Sequence, residues 1–212
     1  MVIAIDGPAG AGKSTVARGL AAALGITYLD SGAMYRCVAL AVSSADADPD
    51  DPYEASGVAS EIEIAFEGDR VLLDSDDVTE AIRSPEISSL ASRVSVHPGV
   101  REAMVLRQRE IISRGPYVAE GRDIGTVVSP ESPLKVFLVA NDSERARRRA
   151  AESGQSLDQV SSELAERDRR DSEREHGALR AADDSVEVDT SAVPADEVVA
   201  RIAELARERG LA

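Results

Sequence analysis

The stretch from Val2 to Gly25 leaves the chain little choice of fold. Val2-Ile3-Ala4-Ile5 has no polar position, the pattern of a strand buried on both faces of a parallel sheet. It runs into Gly7-Pro8-Ala9-Gly10-Ala11-Gly12-Lys13-Ser14, which satisfies G-x-x-x-x-G-K-[ST] at every fixed position. Apolar residues at helical spacing continue from Ser14 to Leu24 and stop at Gly25, a residue suited to the left-handed position that ends a helix. Strand, glycine loop and helix in this order are the context a phosphate-binding loop requires. The glycines let successive N–H groups turn inward, and the helix adds the positive end of its dipole. Gly7 to Ser14, with Thr15, are therefore the expected grip on a nucleoside triphosphate such as ATP. Lys13 is placed to reach the β- and γ-phosphates and Ser14 to ligate Mg²⁺ through its hydroxyl.

The loop identifies a donor and leaves the reaction open, because kinases, switch GTPases and mechanical ATPases all use it. The N-K-x-D motif that reads guanine in GTPases is absent, and the 212-residue length disfavours a motor. Beyond the first helix the pattern predicts a strand over 26–29, a helix over 32–42 and a solvated acidic loop over 45–51. Two alternating runs, 61–66 and 70–74, are joined by Glu67-Gly68-Asp69 and read as an antiparallel hairpin. A hairpin is foreign to a βαβ alternation, so residues 44–84 are expected to form an insertion. A helix over 100–112, strands over 117–119, 134–140 and 186–188, and a closing helix from Ala195 to about Arg209 complete the core. Residues 143–176 are arginine-rich, helical and interrupted by glycine, the make-up of a lid. The expected divisions are thus a core of 1–43, 85–142 and 177–212, the insertion 44–84 and the lid 143–176.

The net charge of -15 disfavours non-specific contact with nucleic acid or anionic lipid. An anionic substrate must then be drawn in by local basic clusters against the global field. Apart from Lys13 and Lys135, every basic residue that could do so is arginine. The single cysteine, Cys37, excludes a disulfide framework and points to a reducing compartment. No basic, apolar leader opens the sequence, so a cytoplasmic location is expected, and a monomer, since no heptad seam appears. His97 and His176 stand beside proline and glycine and are read as non-catalytic.

Three segments suggest an anion-binding wall. Leu29 to Arg36 opens the second helix; Gly121-Arg122-Asp123 sits just past a buried strand, where open α/β sheets bind ligands; and Arg167, Asp171 and Arg174 recur at i, i+4 and i+7 on one helical face. GPAGAGKST, LDSGAMYR, SRVS with VRE, EGRDIGTVV and ERDRRDSER, in this order and across essentially the whole chain, strongly resemble bacterial cytidylate kinases. The resemblance implies the P-loop nucleoside monophosphate kinase fold: an α/β core with a parallel central sheet flanked by helices, an inserted monophosphate-binding domain with an antiparallel sheet, and a helical lid. It implies transfer of the γ-phosphoryl group of ATP to CMP or dCMP, with small nucleotides as the only partners. By the same resemblance Ser92, Arg101 and Asp123 read cytosine, and Arg36, Arg122 and Arg174 hold the monophosphate, together with Ser31 at the opening of the second helix. Arg167 and Asp171 approach the ribose, Arg148 contacts the donor nucleotide, and Lys13, Arg122 and Arg174 flank the migrating group. Glu120 is the candidate acid behind the metal, although many relatives carry aspartate there. A P-loop kinase of another small acceptor, or a nucleotide-binding switch without acceptor chemistry, remains the competing expectation.

Overall fold

The computed structural model describes residues 1–211 and divides the chain into two units, Met1–Asp30 with the chain from Arg109 onward, and Ser31–Gln108. In the first unit, strands β1 (Val2–Asp6), β2 (Thr27–Asp30), β6 (Tyr117–Gly121), β7 (Leu134–Val139) and β8 (Val186–Asp189) form one parallel sheet in the order β2-β6-β1-β7-β8. β1 has neighbours on both sides and is buried along its whole length, which is why its sequence shows no alternation. Helices α1 (Lys13–Leu24) and α8 (Ala195–Glu208) close one apolar cluster, in which Val16 and Leu20 of α1 and Val198 and Ile202 of α8 meet Ile3, Ile5, Val136 and Leu138. Each such side chain contributes about 2 kcal/mol when removed from water. α1 ends where expected, at Gly25 with φ 66°.

The arginine-rich region consists of two helices, α6 (Asp142–Ser153) and α7 (Leu157–Glu173), separated by Gly154 at φ 70°. Asn141 caps α6 by accepting from the Glu144 N–H at 2.8 Å, and Ser156 with Gln159 forms a capping box on α7. Val160 and Leu164 of α7 and Ala146 of α6 bury against Ala9 of the phosphate loop.

The second unit contains α2 (Ser31–Ser44), α3 (Pro52–Glu61), a three-stranded antiparallel sheet of β3 (Ile64–Glu67), β4 (Arg70–Leu73) and β5 (Asp76–Asp77), α4 (Pro85–Val94) and most of α5 (Pro98–Ile112). The hairpin forms with Gly68 at φ 61°, and a third short strand joins it. Its first strand is shorter than the alternation suggested, because Glu61 is the last residue of α3. Among the described residues no helix is long and apolar enough to cross a membrane.

Candidate active site

The donor loop leaves β1 through Gly7 at φ 151°, and a Cβ there would stand 2.3 Å from the Leu138 carbonyl oxygen on β7. Only glycine lets the loop start so close to the neighbouring strand. Lys13 is buried at the head of α1 and donates to the Pro8 carbonyl at 2.8 Å. Burial and the nearby Arg122 guanidinium push its ammonium well below the ordinary lysine range, while Glu120 and Asp171 oppose that shift. Glu120, at the end of β6, accepts from the Tyr28 hydroxyl and from the Ser14 hydroxyl. Its own carboxyl is pushed up by burial and by Asp30.

The arginines of α6 divide by what they contact. Arg145 is buried and reaches the loop itself: it donates to the Ala9 carbonyl at 3.1 Å and pairs with Asp168 of α7 and, at 2.6 Å, with Asp142. A Cβ on Gly10 would meet the Arg145 carbonyl oxygen at 3.0 Å, so loop and helix are in intimate contact. Arg148 holds Thr190 through its carbonyl at 2.6 Å and its hydroxyl at 3.1 Å, and Thr190 in turn donates to the Ala11 carbonyl. Its guanidinium lies 3.5 Å from where a Cβ on Gly12 would be, beside the donor loop. Arg147 and Arg149 pair with Glu144 and Glu152 on the helix surface.

Around the ends of β6 and α7 the expected acceptor residues come together. Asp171, only 1% exposed, accepts from Arg122 Nε at 2.9 Å and from Arg174, with Arg167 Nε at 4.0 Å. Burial drives its carboxyl upward, but Arg122, Arg174 and Arg167 outweigh burial and hold it below the usual aspartate range. Lys13 feels Arg122, Arg167, Asp171 and Glu120 electrostatically, so the loop lysine and these arginines share one charge cluster. Asp123, also buried, heads an irregular turn over Ile124–Val128, whose first two N–H groups are taken by the Asp6 carboxylate at 2.8 and 2.7 Å.

The remaining expected residues lie on the second unit. Ser31 begins α2 in a buried position, and Arg36 lies on the same helix, half-buried. Ser92 of α4 and Arg101 of α5 are both 4% exposed. The Ser92 hydroxyl has no hydrogen-bond partner among the described residues, an uncommon state for a buried polar atom and one that suits a ligand-facing group. The Arg101 guanidinium lies 5.8 Å from the Tyr35 ring centroid. His97 has a structural task, its Nε2 lying 2.9 Å from the Pro49 carbonyl oxygen.

Asp6, Tyr28 and Arg145 were not picked out by sequence pattern. The available signal was a carboxylate closing an otherwise apolar buried strand, as Asp6 does at the end of β1. Arg145 lay inside a run of arginines that reads as uniform, and only the packing of α6 against Ala9 and Gly10 singles it out.

The family model for cytidylate kinase matches residues 3–208. A protein described as cytidylate kinase in Solibacter usitatus is 47% identical over 216 residues, covering 99% of this chain and 93% of its own length. Another, from Geobacter sulfurreducens, is 45% identical over 218 residues, covering 99% of this chain and 94% of its own. Among solved structures, a gluconokinase from Sinorhizobium meliloti shares the fold with a TM-score of 0.51 at 17% identity, covering 98% of this chain and 96% of its own.

Proposed function

The chain belongs to the cytidylate kinase family, and on that premise we propose how its residues divide the work of the reaction. The enzyme transfers the γ-phosphoryl group of ATP to CMP or dCMP, giving ADP and CDP or dCDP. An oxygen of the CMP phosphate attacks the γ-phosphorus in line as the bond to the β,γ-bridging oxygen breaks, and ADP leaves with that oxygen. The attacking phosphate is already an anion near neutral pH, so no carboxylate here is assigned the role of general base.

Catalysis is then positioning and charge neutralisation. In this reading the loop from Gly7 to Thr15 cradles the donor phosphates through the backbone N–H groups of its residues other than Pro8. Lys13 moves from the Pro8 carbonyl, its partner in this structure, to the β- and γ-oxygens. Arg122 and Arg174, with Arg36, bind the CMP phosphate, each charge-assisted bond contributing about 1.5–3 kcal/mol. Ser31 is assigned to the same acceptor, Arg167 and Asp171 to the ribose, and Arg148 to the donor side. The observation that carries this assignment is the convergence of Arg122, Arg167 and Arg174 on the buried Asp171, inside the electrostatic reach of Lys13. One carboxylate holds three guanidiniums in register until an anionic substrate can share them.

Mg²⁺ fits the donor set at Ser14. The hydroxyl is hydrogen-bonded to the Glu120 carboxylate, with Asp30 nearby, and these hard oxygens match an ion that keeps waters and substrate phosphates as its other ligands. No group of three or more His, Cys, Asp or Glu suited to a metal occurs among the described residues, so Ser14 and the nucleotide would hold the ion, with Glu120 orienting the hydroxyl. When bound, it neutralises charge on the β- and γ-phosphate oxygens.

Cytosine is assigned to Ser92, Arg101 and Asp123. A carboxylate accepts from the exocyclic amine and an arginine donates to the ring carbonyl, whereas uracil presents a carbonyl where cytosine has its amine. We further infer a cytoplasmic monomer without nucleic-acid partners. The test is an acceptor screen with ATP and Mg²⁺ that follows ADP formation. CMP and dCMP should react far faster than UMP or AMP, and equal rates with all four would overturn the base-reading assignment.

A further inference from the structure

The mechanism above makes no use of Asp6, yet this carboxylate is 5% exposed and both of its oxygens are committed. Oδ1 accepts from the Ile124 N–H at 2.8 Å and Oδ2 from the Gly125 N–H at 2.7 Å. Those are the first two residues of the turn that follows Asp123. The turn closes on the Asp123 carbonyl, which accepts from Val127 at 2.8 Å and from Val128 at 3.2 Å. Like the first amides of any helical turn, the N–H groups of Ile124 and Gly125 have no partner within the turn itself. Asp6 supplies that partner from another strand.

The fit around the carboxylate is close. A Cβ on Gly125 would come 3.3 Å from Asp6 Oδ2 and 3.2 Å from Lys135 Cδ. The Lys135 stem therefore walls the contact, while its ammonium is drawn off to Asp184, 2.9 Å from each carboxylate oxygen. The lysine thus spends its charge elsewhere, and Asp6 spends its own on two amides. Burial pushes the Asp6 carboxyl up to about 6, with Asp123 adding to the rise, while the hydrogen bonds from the Gly125 and Ile124 N–H groups, and then Lys13, oppose it.

We propose that Asp6 is a positioning residue for acceptor specificity: by pinning Ile124 and Gly125 it fixes the backbone from which Arg122 and Asp123 project, so the strand that launches the donor loop also orients the residue that reads the base. The inference rests on the cytosine-reading role assigned to Asp123. Asp6 touches neither nucleotide in this scheme and acts only through the turn.

Asp6→Asn keeps the size of the side chain and one acceptor oxygen, but turns an N–H toward one of the two amides. kcat and KM are measured for CMP and UMP at saturating ATP, ATP affinity by equilibrium binding without acceptor, and folding by thermal denaturation. The expected result is a CMP KM raised about tenfold and a CMP-over-UMP preference reduced by a similar factor, with ATP affinity within about twofold of wild type. Gly125→Ala, which leaves Asp6 unmutated but crowds its Oδ2 and the Lys135 stem with the added methyl group, should shift the preference in the same direction. If Asp6→Asn does not fold, Gly125→Ala decides by the same criterion. A folded variant with unchanged CMP preference, or with CMP and ATP weakened in parallel, overturns the proposal. A wild-type enzyme without CMP preference removes both this inference and the base-reading assignment, and shows itself before any variant is made.

Discussion

Two buried aspartates carry opposite pH signatures, and single residues decide both. Asp171 is held below its ordinary value by three arginines, so its contribution to stability is fully present above the unfolded pKa of about 3.9 and is lost as pH falls through the depressed folded value. Asp171→Asn leaves Arg122, Arg174 and Arg167 facing one another and should cost about 3–5 kcal/mol in urea unfolding at pH 7. That deficit should shrink as the titration is carried below pH of about 4, where wild type loses the same interaction. Asp6 works the other way. With a folded value near 6 against 3.8, the native state binds its proton more tightly, so stability falls as pH rises from about 4 to about 6, by up to about 3 kcal/mol. The Asp6→Asn protein should lack this slope, so the difference in unfolding free energy between variant and wild type should move in its favour across that window. A difference that stays flat with pH would mean that the buried carboxylate is not being charged at a cost. Gly7→Ala needs no titration: the Leu138 carbonyl oxygen stands where the methyl group must go, and the variant should show no measurable ATP binding even where it remains folded.

At the scale of elements, the question is what fastens α6 and α7 to the donor loop. The apolar part of that contact is small, Ala9 with Ala146, Val160 and Leu164, so the polar part carries more weight than usual. Arg145 spans it, joining Ala9, Asp142 and Asp168. Arg145→Met should destabilise the chain by about 1–3 kcal/mol and speed amide exchange throughout α7 while leaving α1 and the central strands protected. Exchange rates in α7 identical to wild type would show that the apolar cluster alone holds the pair. This contact also marks the limit of reading elements from sequence. β1, β6, β7, α1 and α8 were legible because each buries an apolar run or face, whereas β2 and β8 bury only Leu29 and Val188 and were marked by short apolar patches between loops. α3 buries only Ala55 and Ala59, exposes Tyr53 and carries Gly57 internally, so periodicity could not reveal it. Its start was written instead in Asp51-Pro52, with Asp51 accepting from Tyr53 and Glu54, and α4 begins in the same way with Ser84-Pro85. The candidate cluster was legible where spacing carried it: Arg167, Asp171 and Arg174, expected together from their i, i+4 and i+7 positions, do meet. The site was not legible where distant chain segments meet, because nothing in the local pattern at Asp6 indicates that its partners are Ile124 and Gly125.

For the whole molecule, the charge problem set by 39 acidic against 24 basic side chains has a structural answer that leads to a kinetic prediction. Many of the arginines are already neutralised locally: Arg147 by Glu144, Arg169 by Glu173, Arg170 by Glu166, Arg93 by Asp50 and Arg70 by Glu67 and Asp77. They are exposed or half-buried pairs that add little to stability or to attraction at a distance. The guanidiniums around Asp171 act only at close range, so an approaching nucleotide meets the net charge of -15 first. Salt screens that far field strongly, the Debye length falling from about 30 Å at 0.01 M to about 8 Å at 0.15 M, and screens contacts inside a desolvated site much less. kcat/KM for CMP, with ATP saturating and free Mg²⁺ held constant, should therefore rise by about two- to fivefold over that range of monovalent salt before contact screening turns it down. Neutral crowders at matched viscosity should not reproduce the rise. A steady fall from the lowest salt upward would mean that the arginine cluster already dominates the field at long range and steers the acceptor in despite the acidic surface.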